Sequence, residues 1–175
     1  VVEARAGGGP LCVVPTASSD PAESMAGAVQ RLAEYTGAGS VKGILISTED
    51  PARARDPSVV AELAACSGFY FTGGSQSRIV DVFLPAGDTT EAYRAVKQRW
   101  QEGAVVAGSS AGAMVMGSWM GFRDWRPALG VVPNIAVLPH HERSDPDSTV
   151  TRITGALPSG ISALGVDVGT GCLSG

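Results

Sequence analysis

The chain has 175 residues, of which 44 % are hydrophobic and 17 % charged, and its net charge is -4. This length and hydrophobic content can bury one ordinary core, so we expect a single domain over residues 1–175. The chain is acidic and has no cluster of lysines or arginines, so it lacks the positively charged surface that binds nucleic acids. No run approaches 18 uninterrupted apolar residues and no signal peptide opens the chain, so we expect a cytoplasmic protein without membrane contact.

Strand and helix patterns alternate along the whole chain. Continuous apolar runs predict strands at residues 12–14, 41–47, 68–74, 104–107, 135–138 and 163–166. Helical spacing predicts helices at residues 22–35, 58–66, from about 77, 90–101 and 111–116, the first capped by Asp20 or Ser19. Such alternation is typical of a parallel sheet covered on both faces. We therefore predict an α/β fold, a three-layer α/β/α sandwich with a mostly parallel sheet.

The three cysteines, Cys12, Cys66 and Cys172, are an odd and widely scattered set. They lack metal-ligand spacing, and we expect reduced, buried thiols rather than a disulfide framework. The two histidines, His140 and His141, have no third ligand at usable spacing. The sequence therefore predicts neither a metal site nor a cofactor.

A serine lies between glycines where the fourth predicted strand meets a helix. The stretch G-S-S-A-G over residues 108–112 matches G-x-S-x-G in the strand–turn–helix context that this motif requires. Its middle serine is Ser110, and the N–H of Ala111 would point at an oxyanion. The alternative is a turn of small residues that only lets strand and helix pack closely. The motif alone does not separate these two interpretations.

A second glycine turn, F-T-G-G-S-Q over residues 71–76, ends the third predicted strand. Ligands of parallel sheets bind outside the carboxyl ends of the strands, so this turn is expected beside Ser110. Gly73 and Gly74 leave backbone N–H groups uncovered that could complete an anion-binding nest. Gln76 or Arg78 could then orient a substrate. An ordinary glycine turn before a helix is the alternative.

A nucleophilic serine needs a base, and the only histidines follow a predicted strand at residues 135–138. On extended chain, adjacent side chains point to opposite faces, so one of His140 and His141 can face the cleft. Two histidines on a surface loop are the alternative.

Together these motifs resemble the cyanophycinase and aspartyl dipeptidase (peptidase E) family of serine peptidases. The pairing of F-T-G-G-x-Q with G-x-S-A-G-A is the most specific part, and the resemblance covers nearly the whole chain. It implies a flavodoxin-like sheet resembling class I glutamine amidotransferases, Ser110 as nucleophile and His140 as base. It also implies oxyanion donors at Gly74 and Ala111, and cleavage of peptide bonds next to aspartyl residues in dipeptides or in the aspartate–arginine polymer cyanophycin.

The chain departs from that family at the third catalytic position. The family carries a glutamate in a segment like G-I-D-E-x-T-A, whereas this chain reads G-V-D-V-G-T-G over residues 165–171, with Val168 in the glutamate's place. Asp167 is the nearest substitute, and it can serve only if the chain bulges or turns there. Other candidate acids carry no motif; they are Asp124, Glu142, Asp145 and Asp147.

Two further departures concern the substrate and the start of the chain. Leu138 and Pro139 replace the Asp-Gln that precedes the histidine in cyanophycinases, which argues against cyanophycin as substrate. The family's first strand and G-G-G-E turn are also missing, so we expect this chain to begin inside the first helix at V-V-E-A-R-A-G-G-G.

The sequence therefore predicts a serine peptidase acting on aspartyl peptides through an acyl-enzyme on Ser110. A relative that binds a small acidic ligand without hydrolysis is the main alternative. An α/β-hydrolase esterase would need Asp124 as its acid, and amidotransferase chemistry would need cysteine at position 110. An acidic substrate needs a cation, for which Arg78, Arg143 and Arg152 are candidates. A homodimer is left open.

Overall fold

The computed structural model describes residues 9–37, 39–121, 125–143, 153 and 155–173. Its strands are β1 (Leu11–Val14), β2 (Val41–Gly43), β3 (Gly68–Phe71), β4 (Val105–Gly108), β5 (Gly117–Met120), β6 (Arg126–Pro127), β7 (Val132–Pro139) and β8 (Ser162–Val166). Its α-helices are α1 (Pro21–Thr36), α2 (Pro57–Ala64), α3 (Gln76–Phe83), α4 (Glu91–Gln101) and α5 (Ala111–Met114). Short 3-10 turns lie at Pro51–Arg55, Pro85–Gly87 and His141–Arg143.

The described strands form two four-stranded sheets. The first has the order β2-β1-β3-β4, and all its neighbours are parallel. The second has the order β6-β5-β7-β8, in which β5, β7 and β8 run parallel and β6 is antiparallel to β5. The prediction of a mostly parallel α/β fold is confirmed.

Helices cover both faces of the first sheet. Leu11 and Val13 of β1 pack in one buried cluster with Ala28 of α1. Cys12 and Val14, which alternate with them, belong to a larger cluster that includes residues of α2, α3 and α4. Since successive strand residues point to opposite faces, this division places α1 on one side and the other helices on the other. The three-layer arrangement follows from this alternation.

Two predicted strands end earlier than expected. The strand predicted at 41–47 pairs only over β2, although Ile44 and Ile46 beyond it are buried and the Ile44 N–H donates to Val13. The strand predicted at 68–74 ends at Phe71, because the chain turns at Gly73 and Gly74. β5 and β6 are absent from the predicted strands; they are held by pairing within the second sheet.

The expectation of reduced cysteines is wrong for two of the three. Cys12 and Cys66 form a disulfide, with their Cα atoms 6.0 Å apart, while Cys172 is free and exposed. The pairing of Leu11 with Gly68 brings β1 beside Cys66, which lies two residues before β3, and the Cα distance is within the usual range of a disulfide. A separation of 54 residues hides this proximity in the sequence.

The helices that the structure describes include no membrane span, because none is both long and apolar enough to cross a bilayer. The expected opening inside a helix concerns residues 1–8, which lie outside the described residues. A single domain over the whole chain stays a prediction.

Candidate active site

The candidate site lies at the carboxyl ends of two paired strands. Phe71, the last residue of β3, pairs with Gly108, the last residue of β4. The loops that follow these strands are therefore neighbours. An ideal Cβ at Gly73 would lie 3.3 Å from Cβ of Ser110. The structure thus brings the two glycine-containing motifs together, as the parallel sheet predicts.

Ser110 occupies a sharp turn between β4 and α5. Its backbone has φ 50° and ψ -112°, in a region that residues other than glycine rarely adopt. The turn is tight because Gly112 packs directly on the carbonyl of Phe71 and leaves no space for a side chain. A strained serine between a strand and a helix has its hydroxyl exposed above the sheet, as in a nucleophile elbow.

The hydroxyl of Ser110 faces the imidazole of His140. Ser110 Oγ and His140 Nε2 are 3.0 Å apart, within hydrogen-bond distance. His140 follows the end of β7 at Pro139 and also has a positive φ, 57°. A serine and a histidine at this distance can act as nucleophile and general base. The backbone is therefore strained at both Ser110 and His140, the two residues whose side chains are hydrogen-bonded to each other.

Two backbone N–H groups of these loops are the predicted oxyanion donors. Ala111 is the first residue of α5, so its N–H has no acceptor within the helix. Gly74 has φ 140°, and among the described residues no backbone carbonyl accepts its N–H. The next residue, Ser75, donates its N–H to Ala17 at 2.8 Å, which ties the loop to the one after β1. The roles of Gly74 and Ala111 as oxyanion donors stay predictions.

The third position of the predicted triad is not filled in the described part of the chain. Nδ1 of His140 is buried and has no hydrogen-bond partner there. The Asp167 side chain is exposed, and its backbone carbonyl accepts hydrogen bonds from Thr170. Asp167 therefore does not bond to the imidazole, because β8 runs straight to Val166 without the bulge that would turn it inward.

Another carboxylate lies close to the position of the missing glutamate. The Val168 N–H donates to Oε2 of Glu142 at 3.0 Å. Glu142 belongs to the 3-10 turn that directly follows His140. No motif marks Glu142 as a functional residue, and its position two residues after His140 is the signal that the sequence offers.

His141 lies away from Ser110. Its ring packs over Gly165 of β8, where an ideal Cβ would lie 2.7 Å from Cγ and Cδ2 of the imidazole. It lines a cavity of about 580 Å³ together with Leu138 and Ile153. Neither Ser110 nor His140 lines this cavity. The prediction that the two histidines diverge thus agrees with their positions.

The candidate substrate-binding side chains are described only in part. Gln76 and Arg78 are half-buried in the first turn of α3, directly after the glycine turn. Arg143 ends the 3-10 turn, but its side chain lies outside the described part of the structure, as does Arg152. Three acids that the sequence analysis considered are also outside it: Asp124, Asp145 and Asp147.

A parallel α/β sheet that presents a strained serine hydrogen-bonded to a histidine has the arrangement found in serine hydrolases. The chain belongs to peptidase family S51, whose family model matches residues 4–159. The resemblance proposed from the motifs is therefore confirmed. Within the described residues, no cluster of three or more histidine, cysteine, aspartate or glutamate side chains could hold a metal ion.

Cyanophycinases are among the relatives identified by sequence. The chain is 29 % identical over 172 residues to the cyanophycinase of Nostoc sp. (strain PCC 7120 / SAG 25.82 / UTEX 2576), covering 90 % of this chain and 54 % of that protein. It is 27 % identical over 179 residues to the cyanophycinase of Synechococcus elongatus, covering 94 % and 52 %. The chain thus spans about half the length of the curated relatives it matches.

Solved structures share the fold. A crystal structure of a peptidase from an acI-B1 Actinobacterium has a TM-score of 0.74 and 24 % identity, covering 95 % of this chain and 71 % of that one. A putative peptidase E protein from Listeria monocytogenes EGD-e has a TM-score of 0.61 and 17 % identity, covering 91 % and 78 %. At these identities the likeness supports the fold.

Proposed function

We propose that this chain is a serine peptidase that hydrolyses peptide bonds next to aspartyl residues in small peptides. The observation that carries the proposal is the 3.0 Å approach of Ser110 Oγ to His140 Nε2 at a strained strand-to-helix turn. Membership of family S51 supports the peptidase chemistry. The name peptidase E of one structural neighbour agrees with the aspartyl-peptide resemblance of the motifs.

The proposed reaction has two halves. His140 Nε2 takes the proton of Ser110 as Oγ attacks the scissile carbonyl, and the Ala111 and Gly74 N–H groups hold the tetrahedral oxyanion. When the C–N bond breaks, the imidazolium returns the proton to the leaving amine, and an ester on Ser110 remains. Water then adds to this ester with His140 again as base, which releases the acid and restores the serine.

The specificity is proposed from the resemblance and from the cations near the cleft. An aspartyl carboxylate needs a positive partner, and Arg78 lies in the helix that follows the glycine turn beside Ser110. The relatives named cyanophycinase keep the aspartate–arginine polymer as a second substrate to test. Leu138 and Pro139, in place of the Asp-Gln of cyanophycinases, favour the small peptide.

A fluorophosphonate probe tests the nucleophile without assuming a substrate. We expect the wild-type protein to be labelled at Ser110 and to cleave an aspartyl dipeptide, and Ser110→Ala to lose both. The matched control is Ser109→Ala, which removes the exposed neighbouring hydroxyl and should leave labelling intact. Labelling of Ser110→Ala at the wild-type rate would show that another residue is the nucleophile.

The same experiment distinguishes the serine peptidase from a second candidate function, a protein that binds a small acidic ligand without hydrolysing it. Val168 in place of the family glutamate and the unpartnered Nδ1 of His140 favour that candidate. It predicts an unlabelled wild-type protein whose melting temperature still rises with aspartyl dipeptide, since a ligand that binds only the native state stabilises it. If the probe labels Ser110 but neither substrate is cleaved, the chain is still a serine hydrolase and the proposed specificity for aspartyl peptides is refuted.

The compartment and the oligomeric state stay predictions. The disulfide between Cys12 and Cys66 weighs against the predicted cytoplasm, because cytosolic thiols are kept reduced in most organisms.

A further inference from the structure

A serine–histidine pair works best when a negative group supports the histidine. The imidazole must present Nε2 without a proton, so Nδ1 carries it, and the imidazolium formed during attack is stabilised by a nearby carboxylate. In the described part of the chain, Nδ1 of His140 is buried without a partner and Asp167 is exposed. If the proposed function holds, the question is which group supplies the charge.

The ends of β7 and β8 lie side by side. Pro139, the last residue of β7, pairs with Val166, the last residue of β8. His140 directly follows Pro139, and Val168 lies two residues beyond Val166. Adjacent strands are about 5 Å apart, so a group held at Val168 lies at the same sheet edge as the imidazole.

Glu142 is the group held there. Its Oε2 accepts the Val168 N–H at 3.0 Å, while its backbone belongs to the turn His141–Arg143 that begins right after His140. The carboxylate therefore comes from the turn after β7 and reaches the segment after β8, where the family pattern has its glutamate. The carboxylate thus belongs to the segment after β7, and the segment after β8 contributes only the backbone N–H of Val168.

We propose that Glu142 is the positioning residue of this site and takes over the task of the missing glutamate. Anchored on the Val168 N–H, its carboxylate places a negative charge at the β7–β8 edge that stabilises the imidazolium of His140. The same hydrogen bond ties the turn after His140 to the end of β8, which holds His140 at its strained φ of 57°. This inference rests on the proposed function and concerns the same site.

Two substitutions separate charge from anchoring. Glu142→Gln keeps an oxygen that can accept the Val168 N–H but removes the charge, and Glu142→Ala removes both. We expect both variants to be labelled by a fluorophosphonate at Ser110 about 10- to 100-fold more slowly, by analogy with the loss seen when a carboxylate that orients a metal-binding histidine is removed. A purely structural Glu142 predicts that Glu142→Gln labels at the wild-type rate, and that result would overturn the proposal.

Rescue supplies the second readout. Val168→Glu places a carboxylate on the segment that follows β8. In the Glu142→Ala background, we expect this second substitution to raise the labelling rate at least about tenfold. A Glu142→Ala variant that is slow only because it is unfolded would not recover in this way. Glu102→Gln, the same change on an exposed carboxylate at the end of α4, is the matched control. Melting curves confirm that each variant is folded.

The outcomes distinguish this inference from the function on which it rests. A wild-type protein that the probe does not label refutes both. A labelled wild-type protein with Glu142→Gln at full rate refutes only the role of Glu142. If Asp167→Asn slows labelling while Glu142→Gln does not, the acid is Asp167 and the proposal is wrong.

Discussion

Reduction of the disulfide between Cys12 and Cys66 should destabilise the fold strongly while the site stays intact. The bridge closes a loop across 54 residues of sequence. The chain-entropy estimate for a loop of that length is about 4 kcal/mol at 25 °C. For a protein of this size, about 1 kcal/mol corresponds to roughly 2–4 °C in Tm, so reduction should lower Tm by roughly 8–16 °C.

Thermal unfolding followed by circular dichroism, with and without a reducing agent, measures this shift. Thiol titration in denaturant identifies the bridge directly: we expect one reactive thiol, Cys172, before reduction and all three cysteines after it. Fluorophosphonate labelling at 25 °C should be unchanged, because Cys12 and Cys66 lie toward the start of β1 and β3, whereas Ser110 follows the end of β4.

Two results would contradict this prediction. Three reactive thiols without reduction would show that the bridge does not form in solution. A Tm that moves by less than about 2 °C on reduction would show that the loop-closure estimate does not apply to this chain. The Cys172→Ser variant is the control, since it removes the free thiol and should leave the reduction-dependent shift unchanged.

Two further changes test packing and capping. Gly165→Ala places a Cβ 2.7 Å from the His141 ring, so we expect overpacking to destabilise the fold by roughly 1–3 kcal/mol and to lower Tm. Gly171→Ala, where nothing lies near the new Cβ, is the control and should leave Tm unchanged. Equal Tm values for the two variants would contradict this prediction. The Ser58 hydroxyl and then the Ser58 N–H hold the pKa of Asp56 below its usual value of 3.8. Because the folded-state pKa is lowered, Asp56→Ala should reduce Tm at neutral pH, and the difference from wild type should shrink as the pH falls from about 5 to about 2; a constant difference would rule this out.

The sequence predicted the fold because its periodicities are local. Apolar runs marked β1, β3, β4, β7 and β8, and helical spacing with the Asp20 cap marked α1, whose Glu23 N–H is accepted by Asp20. The strands β5 (G-S-W-M) and β6 (R-P) are not continuous apolar runs, so no sequence pattern marks them and pairing alone defines them.

The sequence also predicted the two halves of the site. G-S-S-A-G after a strand and F-T-G-G-S-Q after its neighbour must meet, because parallel strands end at one edge. Ser110 rather than Ser109 follows from the motif, and His140 rather than His141 from the resemblance. The approach of Ser110 to His140 agrees with both.

Tertiary structure decided what depends on residues far apart in the chain. The bridge of Cys12 to Cys66 and the hydrogen bond of Val168 to Glu142 join segments 54 and 26 residues apart, and no local pattern encodes either. The sequence shows Val168 where the family pattern has a glutamate, but it does not show which group lies beside that position. The register of β7 on β8 brings a carboxylate to that position from the turn after β7. The pairing of the two strand ends, and not the order of residues along the chain, determines which side chains share an edge.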